Sequence, residues 1–271
     1  LKLGDKVLLT YQGVNVAVLE AESIYKPNKV VEAIECYGTS SLEHPTVNAI
    51  VAEQGAFHIG GKLHGLSSPK FPYKVMTPTE VRATLPEGKP VVAFQNRNPI
   101  HKAHFELLKC AHEDVEDSVL LVHPTCGPTQ PGDIDGVVRI STYEALAAEI
   151  KDEFPGFRWA YLPYSMKMAG PREAIQHMII RKNFGATHFI IGRDMAGTKS
   201  TLTSDDFYGP YEAQENGKKH SAELAVTVVD YPNMVYVGEK DGNERGYMSD
   251  VEAKSKGLKI QKLSGTEFRN R

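Results

Sequence analysis

From residue 89 to residue 230, short apolar runs alternate with longer helical patterns, and this alternation constrains the fold more than anything else in the chain. The runs at 91–94, 118–122, 157–162 and 188–191 read as buried-type strands. Amphipathic stretches at 103–112, 139–154 and 172–184 fill the intervals. Alternating strands and helices imply a parallel sheet with right-handed crossovers, whose ligands bind beyond the carboxyl ends of the strands. Residues 225–230 and 235–237 supply further strand material.

The segment before this core reads as β-rich. Runs at 6–10 and 14–20 flank Tyr11-Gln12-Gly13, a hairpin signal. The run at 58–62 carries Gly60-Gly61, read as a turn, and Pro69, Pro72 and Pro78 punctuate the exit. A short helix is expected over 77–85, with Thr79 as N-cap ahead of Glu80, and Pro86-Glu87-Gly88 as linker. The expected organisation is a β-rich domain at 1–85, an α/β domain at 86–250 and the start of a further subdomain at 251–271.

The 271 residues suffice for one large or two modest domains. A formal net charge of −3 provides no global basic field, so nucleic acid is not an expected partner and any anion site must be local. No apolar run approaches the roughly 20 residues of a membrane span, so no membrane partner is expected either. Cys36, Cys110 and Cys126 are scattered and odd in number, which suggests neither a disulfide framework nor a zinc site, and points to a reducing compartment. The opening Leu1-Lys2-Leu3-Gly4 is neither a signal peptide nor an initiator methionine, and residues 268–271 look like a helix cut short, so the chain reads as a fragment or a processed form.

Two strand-end loops carry the chemistry. The first is Gln95-Asn96-Arg97-Asn98-Pro99-Ile100-His101-Lys102-Ala103-His104. Pro99 suits a helix entry, and a helix N-terminus is a natural anion site. His101 and His104, three apart, share one face there. An isolated H-x-x-H is common, and this is not the zinc-binding H-E-x-x-H. The glycine-rich G-x-x-x-x-G-K cradle is also missing, so phosphate would be held differently. The second loop is Gly192-Arg193-Asp194-Met195-Ala196-Gly197, where small residues admit a ligand to the backbone and Arg193 could fork onto an oxyanion. Taken alone, it reads more readily as a surface turn with an Arg–Asp pair.

Together the loops resemble the ATP sulfurylase family, marked by Q-x-R-N-P-x-H-x-x-H and G-R-D-x-A-G. The likeness extends through Pro131-Gly132-Asp133-Ile134, through Met168-Ala169-Gly170-Pro171-Arg172-Glu173-Ala174 with Ile180-Arg181-Lys182-Asn183-Phe184-Gly185, through Asp206-Phe207-Tyr208-Gly209-Pro210-Tyr211, and through Ser264-Gly265-Thr266-Glu267-Phe268-Arg269. It spans residues 77–269 and is weaker before them.

The resemblance implies a Rossmann-like, HIGH-superfamily-like nucleotidyltransferase domain preceded by a smaller PUA-like domain. The implied activity converts ATP and sulfate into adenosine phosphosulfate and pyrophosphate, or the reverse. Carried onto this sequence, Gln95, Arg97 and the Ala196 backbone meet sulfate. Gln95, Asn96, Arg97, Asn98, His101, His104, Gly192, Arg193, Asp194, Met195 and Val235 meet ATP, and Asn96, Arg97 and Asn98 form the catalytic group. Ser264, Thr266 and Arg269 occupy a motif that related nucleotidyltransferases use near phosphate. Mg²⁺ is expected with ATP, with no tightly bound protein metal. A homo-oligomer is implied, in the cytoplasm or a plastid stroma. The sequence departs from the commonest family pattern at Asn96 (threonine), Met195 (histidine) and Gln130 (lysine). Two alternatives stay open: a catalytically silent paralogue that binds nucleotide as a regulatory subunit, and another nucleotidyltransferase on the same architecture.

Overall fold

A computed structural model of the chain describes residues 1–130, 132–239 and 246–261. The chain divides into two compact units. One comprises Leu1–Lys74 with Lys199–Phe207, the other Val75–Thr198 with Tyr208–Arg271.

In the first unit, strands β1 (Lys6–Tyr11) and β2 (Val14–Tyr25) form the expected hairpin. Gln12 (φ 48°) and Gly13 (φ 77°) both take positive φ, as a two-residue turn matching strand twist requires. Helices α1 (Lys29–Tyr37) and α2 (Pro45–Ala52) follow, and strand β3 (His58–Gly65) completes an antiparallel sheet of order β1-β2-β3. The β-rich reading missed both helices. Val30, Val31 and Ile34 of α1 are exposed while Ala33 is buried, so the apolar residues do not mark the packed face. The signals that existed were at the ends. Asn28 accepts a bond from the Val31 N–H, and Gly38 closes α1 at φ 70°.

Gly60-Gly61 is not a turn. Both residues lie inside β3, opposite an irregularity in β2 between Ala21 and Ser23. A Cβ on Gly61 would stand 1.9 Å from the Glu20 carbonyl oxygen, so the pair marks a close backbone approach.

The second unit begins with α3 (Pro78–Arg82). Its N-cap is Thr77 rather than Thr79. The Thr77 hydroxyl accepts from the Glu80 N–H and the Glu80 carboxylate accepts from the Thr77 N–H, a complete capping box with Pro78 at the first turn. Then come β4 (Val91–Phe94), α4 (Lys102–Asp114), β5 (Val119–Val122), α5 (Gly136–Ile150), β6 (Phe157–Trp159), α6 (Gly170–Asn183), β7 (His188–Ile191), α7 (Glu212–Leu224) and β8 (Thr227–Asp230). The five strands are parallel, in order β6-β5-β4-β7-β8. Every residue of β4 and β5 is buried, as strands covered on both faces must be.

Alternation along β4 sorts the core into two layers. Val91 and Ala93 pack with Ala174 and Met178 of α6 and Ala213 of α7. Val92 and Phe94 pack with Leu107, Leu108 and Ala111 of α4 and Ile150 of α5. The chain therefore runs outward from β4 on one helical layer, crosses, and returns through β7 on the other. The order reverses between β4 and β7.

The strand material at 235–237 does not join this sheet. Strand β9 (Met234–Tyr236) pairs antiparallel with β10 (Tyr247–Ser249), which leads into the short α8 (Asp250–Ser255). The expected terminal helix at 268–271 lies outside the described residues.

Gly61→Ala should loosen the β2–β3 pairing, seen as faster amide exchange over residues 58–65. Gly65→Ala, where no atom lies within 4 Å of the added carbon, should leave that exchange unchanged.

Candidate active site at the strand-order reversal

In open parallel sheets the crevice for a ligand opens where neighbouring strands send their connections to opposite faces. Here the neighbours are β4 and β7, and the two chemically marked loops leave these strands at Gln95 and Gly192.

The first loop is held by its carbonyl groups. The Asn96 carbonyl accepts from the Thr125 N–H at 3.0 Å. The Arg97 carbonyl accepts from Arg139 Nη1, and the Asn98 carbonyl from the Tyr143 hydroxyl at 2.7 Å. Arg139 and Tyr143 are four apart on α5 and so share a face, and both are buried. Three successive carbonyl oxygens are thus occupied by donors beneath the loop, which takes acceptors away from the path of an incoming anion. The charge of Arg139, out of water, reinforces that polarity.

Asn96 is itself buried. Its Oδ1 accepts from the Asn98 N–H at 3.0 Å and its Nδ2 donates to the Asn98 carbonyl at 2.5 Å. The amide closes the turn from both ends, which a threonine hydroxyl at this position could not do with separate donor and acceptor atoms.

Arg97 is paired through Nη1 with Asp133, whose carboxylate is largely buried. Asp133 comes from the segment that the sequence marked, although Pro131 lies outside the described residues. The pair fixes the direction of the guanidinium, and among the described residues its bond uses Nη1 alone.

His101 is the N-cap residue of α4, and its ring stacks on that of His104 with centroids 3.8 Å apart. Burial, and next the neighbouring His101, drive the His104 pKa down to about 3 against the opposing pull of the Pro99 backbone. Burial lowers His101 as well. Both rings are therefore neutral near neutral pH, and would meet phosphate as N–H donors rather than as cations.

In the second loop, Arg193 Nη1 lies 2.7 Å from Asp194 Oδ2, with both side chains partly exposed. Asp194 (φ 56°) and Ala196 (φ 55°) are left-handed, a conformation that aspartate tolerates better than alanine. The shape is pinned by three backbone bonds: Asp194 N–H to the Pro210 carbonyl, Gly197 N–H to the Asp194 carbonyl, and Gly170 N–H to the Ala196 carbonyl at 3.0 Å. The Met195 side chain packs against a buried cluster of Met166, Met168 and Ala196. Gln130 accepts a bond from the Thr198 hydroxyl at 2.9 Å, just past the loop.

Met166 joins the two loops. Its sulfur receives Gln95 Nε2 at 3.3 Å, while its side chain packs on Ala196. Gln95 Oε1 is buried without a hydrogen-bond partner among the described residues. Val235 stands apart on β9, packed with Val237, Met248 and Ala253, and no described contact brings it to either loop. Ser264, Thr266 and Arg269 lie outside the described residues. Sequence reasoning gave no role to Arg139, Tyr143, Thr125 or Asp133. The available signal was a charged residue within the apolar α5 pattern Val137-Val138-Arg139-Ile140.

Among the described residues, no group of three or more His, Cys, Asp or Glu side chains is placed to hold a metal ion. Nor is any described helix long and apolar enough to cross a membrane.

His104, His123 and His177 are buried with lowered pKa values, that of His177 to about 4. Burial is the leading cause for each. The unfolded chain takes up these protons first, below about pH 6.5. Stability is therefore full above that pH and falls as pH drops toward 4, each histidine adding up to about 1.4 kcal/mol per pH unit. His104→Gln should flatten this slope by roughly one proton in denaturation midpoints measured between pH 4 and 7.

Residues 73–271 match the family described as ATP-sulfurylase, and residues 1–68 match a PUA-like domain. A sulfate adenylyltransferase from Phaeosphaeria nodorum is 41% identical over 262 residues, covering 95% of this chain and 44% of its own length. One from Schizosaccharomyces pombe is 38% identical over 281 residues, covering 100% of this chain and 55% of its own. The chain thus spans about half the length of these curated relatives. A solved structure described as a hexameric APS kinase from Thiobacillus denitrificans shares the fold, with a TM-score of 0.66 at 22% identity, over all of this chain and 45% of that one. The loops set side by side by β4 and β7 fall within the matched span, and the chain belongs to the ATP sulfurylase family.

Proposed function

We propose that this chain carries the adenylyl-transfer site of a sulfate adenylyltransferase, joining ATP and sulfate into adenosine phosphosulfate with release of pyrophosphate. The observation that carries the reading is the adjacency of the two loops on β4 and β7, linked through Met166. Sulfate is a strongly hydrated dianion and needs fixed donors to replace its water. Arg97, aimed by Asp133, and the Ala196 N–H are suited to that task. The amide of Gln95 adds a donor when a half-turn about its last torsion exchanges Nε2 with the partnerless Oε1.

The nucleotide lies toward the α4 N-terminus, with neutral His101 and His104 donating to the β- and γ-phosphates and the helix dipole favouring their charge. Gly192, Arg193, Asp194 and Met195 border it from the second loop. A sulfate oxygen then attacks the α-phosphorus in line. The new S–O–P linkage forms as the bond to the bridging α,β-oxygen breaks, and that electron pair leaves with pyrophosphate. Sulfate is already ionised, so no general base is required; positioning and electrostatics do the work.

Mg²⁺ belongs to this scheme as part of the substrate MgATP. Asp133 and Asp194 are engaged by Arg97 and Arg193, so the donor set at the loops suits phosphate oxygens better than a protein-held cation. A homo-oligomer is part of the same proposed reading.

The test is to incubate the protein with ATP, Mg²⁺, sulfate and pyrophosphatase and to measure adenosine phosphosulfate. Product should accumulate, and Arg97→Ala should lower its rate by at least about 100-fold while leaving the circular dichroism spectrum unchanged. ATP binding without product would favour the silent-paralogue reading instead.

A further inference from the structure

The mechanism makes no use of the costliest feature of the core. Glu173, His177 and Arg181 stand four apart on α6, all fully buried. Glu173 Oε1 lies 3.6 Å from His177 Nε2, and Arg181 Nη1 lies 2.5 Å from His177 Nδ1. Burial lowers the Arg181 pKa only to about 9, so the guanidinium keeps its charge at neutral pH. Such a buried charged ladder is a poor stabiliser, since apolar side chains of similar volume commonly do as well or better.

Both of its ends terminate on backbone that sets the candidate site. At one end, Glu173 Oε1 accepts from the Lys167 N–H at 2.9 Å and from the Tyr164 hydroxyl at 3.1 Å, and Oε2 accepts from the Ala169 N–H at 3.0 Å. These bonds hold a turn in which Met168 is left-handed (φ 56°) and Gly170 (φ 49°) passes so near Tyr208 that a Cβ would stand 2.6 Å from its ring. From this turn Gly170 N–H bonds the Ala196 carbonyl, and Met166 meets both Gln95 and Ala196. At the other end, Arg181 Nη2 donates to the His123 carbonyl at 2.7 Å. The His123 N–H in turn bonds the carbonyl of Phe94, the residue before Gln95.

We infer that Glu173, backed by His177 and Arg181, is a positioning residue for sulfate: it fixes the 166–170 turn that sets the Ala196 backbone and the Gln95 side chain relative to each other. The inference rests on the proposed reaction for its kinetic consequence but not for its structural one. Glu173→Gln keeps the volume and replaces one of the two acceptor oxygens with a donor. Amide exchange over residues 164–170 and 192–198 should quicken. The KM for sulfate should rise about 10- to 100-fold while the KM for ATP stays within about twofold, because a displacement near 1 Å is enough for losses of this size. A role confined to stability would lower the melting temperature and leave the KM for sulfate unchanged.

A folded Glu173→Gln protein with wild-type exchange and a wild-type KM for sulfate overturns the inference. If that variant does not fold, Tyr164→Phe removes one bond to Oε1 and should move both readouts a few-fold in the same direction; no movement overturns the inference as well. If the wild-type protein makes no adenosine phosphosulfate, the proposed reaction fails, and the exchange comparison still decides whether Glu173 holds the turn.

Discussion

The parallel pairing of β4 with β7 is the constraint on which the rest of the structure depends. Val92 lies against His188, Ala93 against Phe189 and Phe94 against Ile190, although two strands and three helices separate the two elements in sequence order. The pairing places the two ends of a long excursion side by side. Because the connection after β4 goes to one helical layer and the connections flanking β7 to the other, the two marked loops part at the strand ends, the arrangement at which open parallel sheets bind their ligands. The first loop is held by donors to its carbonyl oxygens, and the second by a set of backbone hydrogen bonds.

The loops are shaped from both faces of the sheet. On one face, α5 sends Arg139 and Tyr143 beneath the first loop and takes up its carbonyl oxygens. On the other, α6 carries the Glu173–His177–Arg181 ladder, which bonds the turn at 166–170 and the His123 carbonyl. Each device buries charge, which costs free energy unless hydrogen bonds replace water. In both cases replacement bonds go to backbone, of the first loop for α5 and of the 166–170 turn and His123 for α6, so the cost of desolvation is offset by a defined local geometry. The buried histidines belong to the same economy: they remain neutral because burial disfavours their charged form, and they leave the positive charge of the region to arginines.

The residues that depart from the commonest family pattern have local explanations in this geometry. Asn96 uses both ends of its amide to close the turn onto Asn98. Met195 joins a cluster of methionines around Ala196, so its side chain reads as packing and its backbone as the part available to a ligand. Gln130 is engaged by Thr198 beside the second loop.

Much of the second unit was legible in the sequence, and the reason is physical. Fully buried parallel strands are short, continuous apolar runs, and 91–94 and 188–191 were bounded to the residue. The first unit was less legible because the exposed apolar residues of α1 hide its buried face, and Gly60-Gly61 signals a close approach as readily as a turn. By itself the sequence determined the strand–helix alternation, the two polar loops and their chemical character, since these depend on local composition and spacing. Only the tertiary structure decided that Asp133 would direct Arg97, that α5 would hold the first loop through a buried arginine, that α6 would bond the 166–170 turn through a buried glutamate, and that Val235 would sit in a separate sheet. Those outcomes depend on contacts between segments far apart in the chain, and hydrophobic periodicity carries no information about which buried polar group will meet which carbonyl.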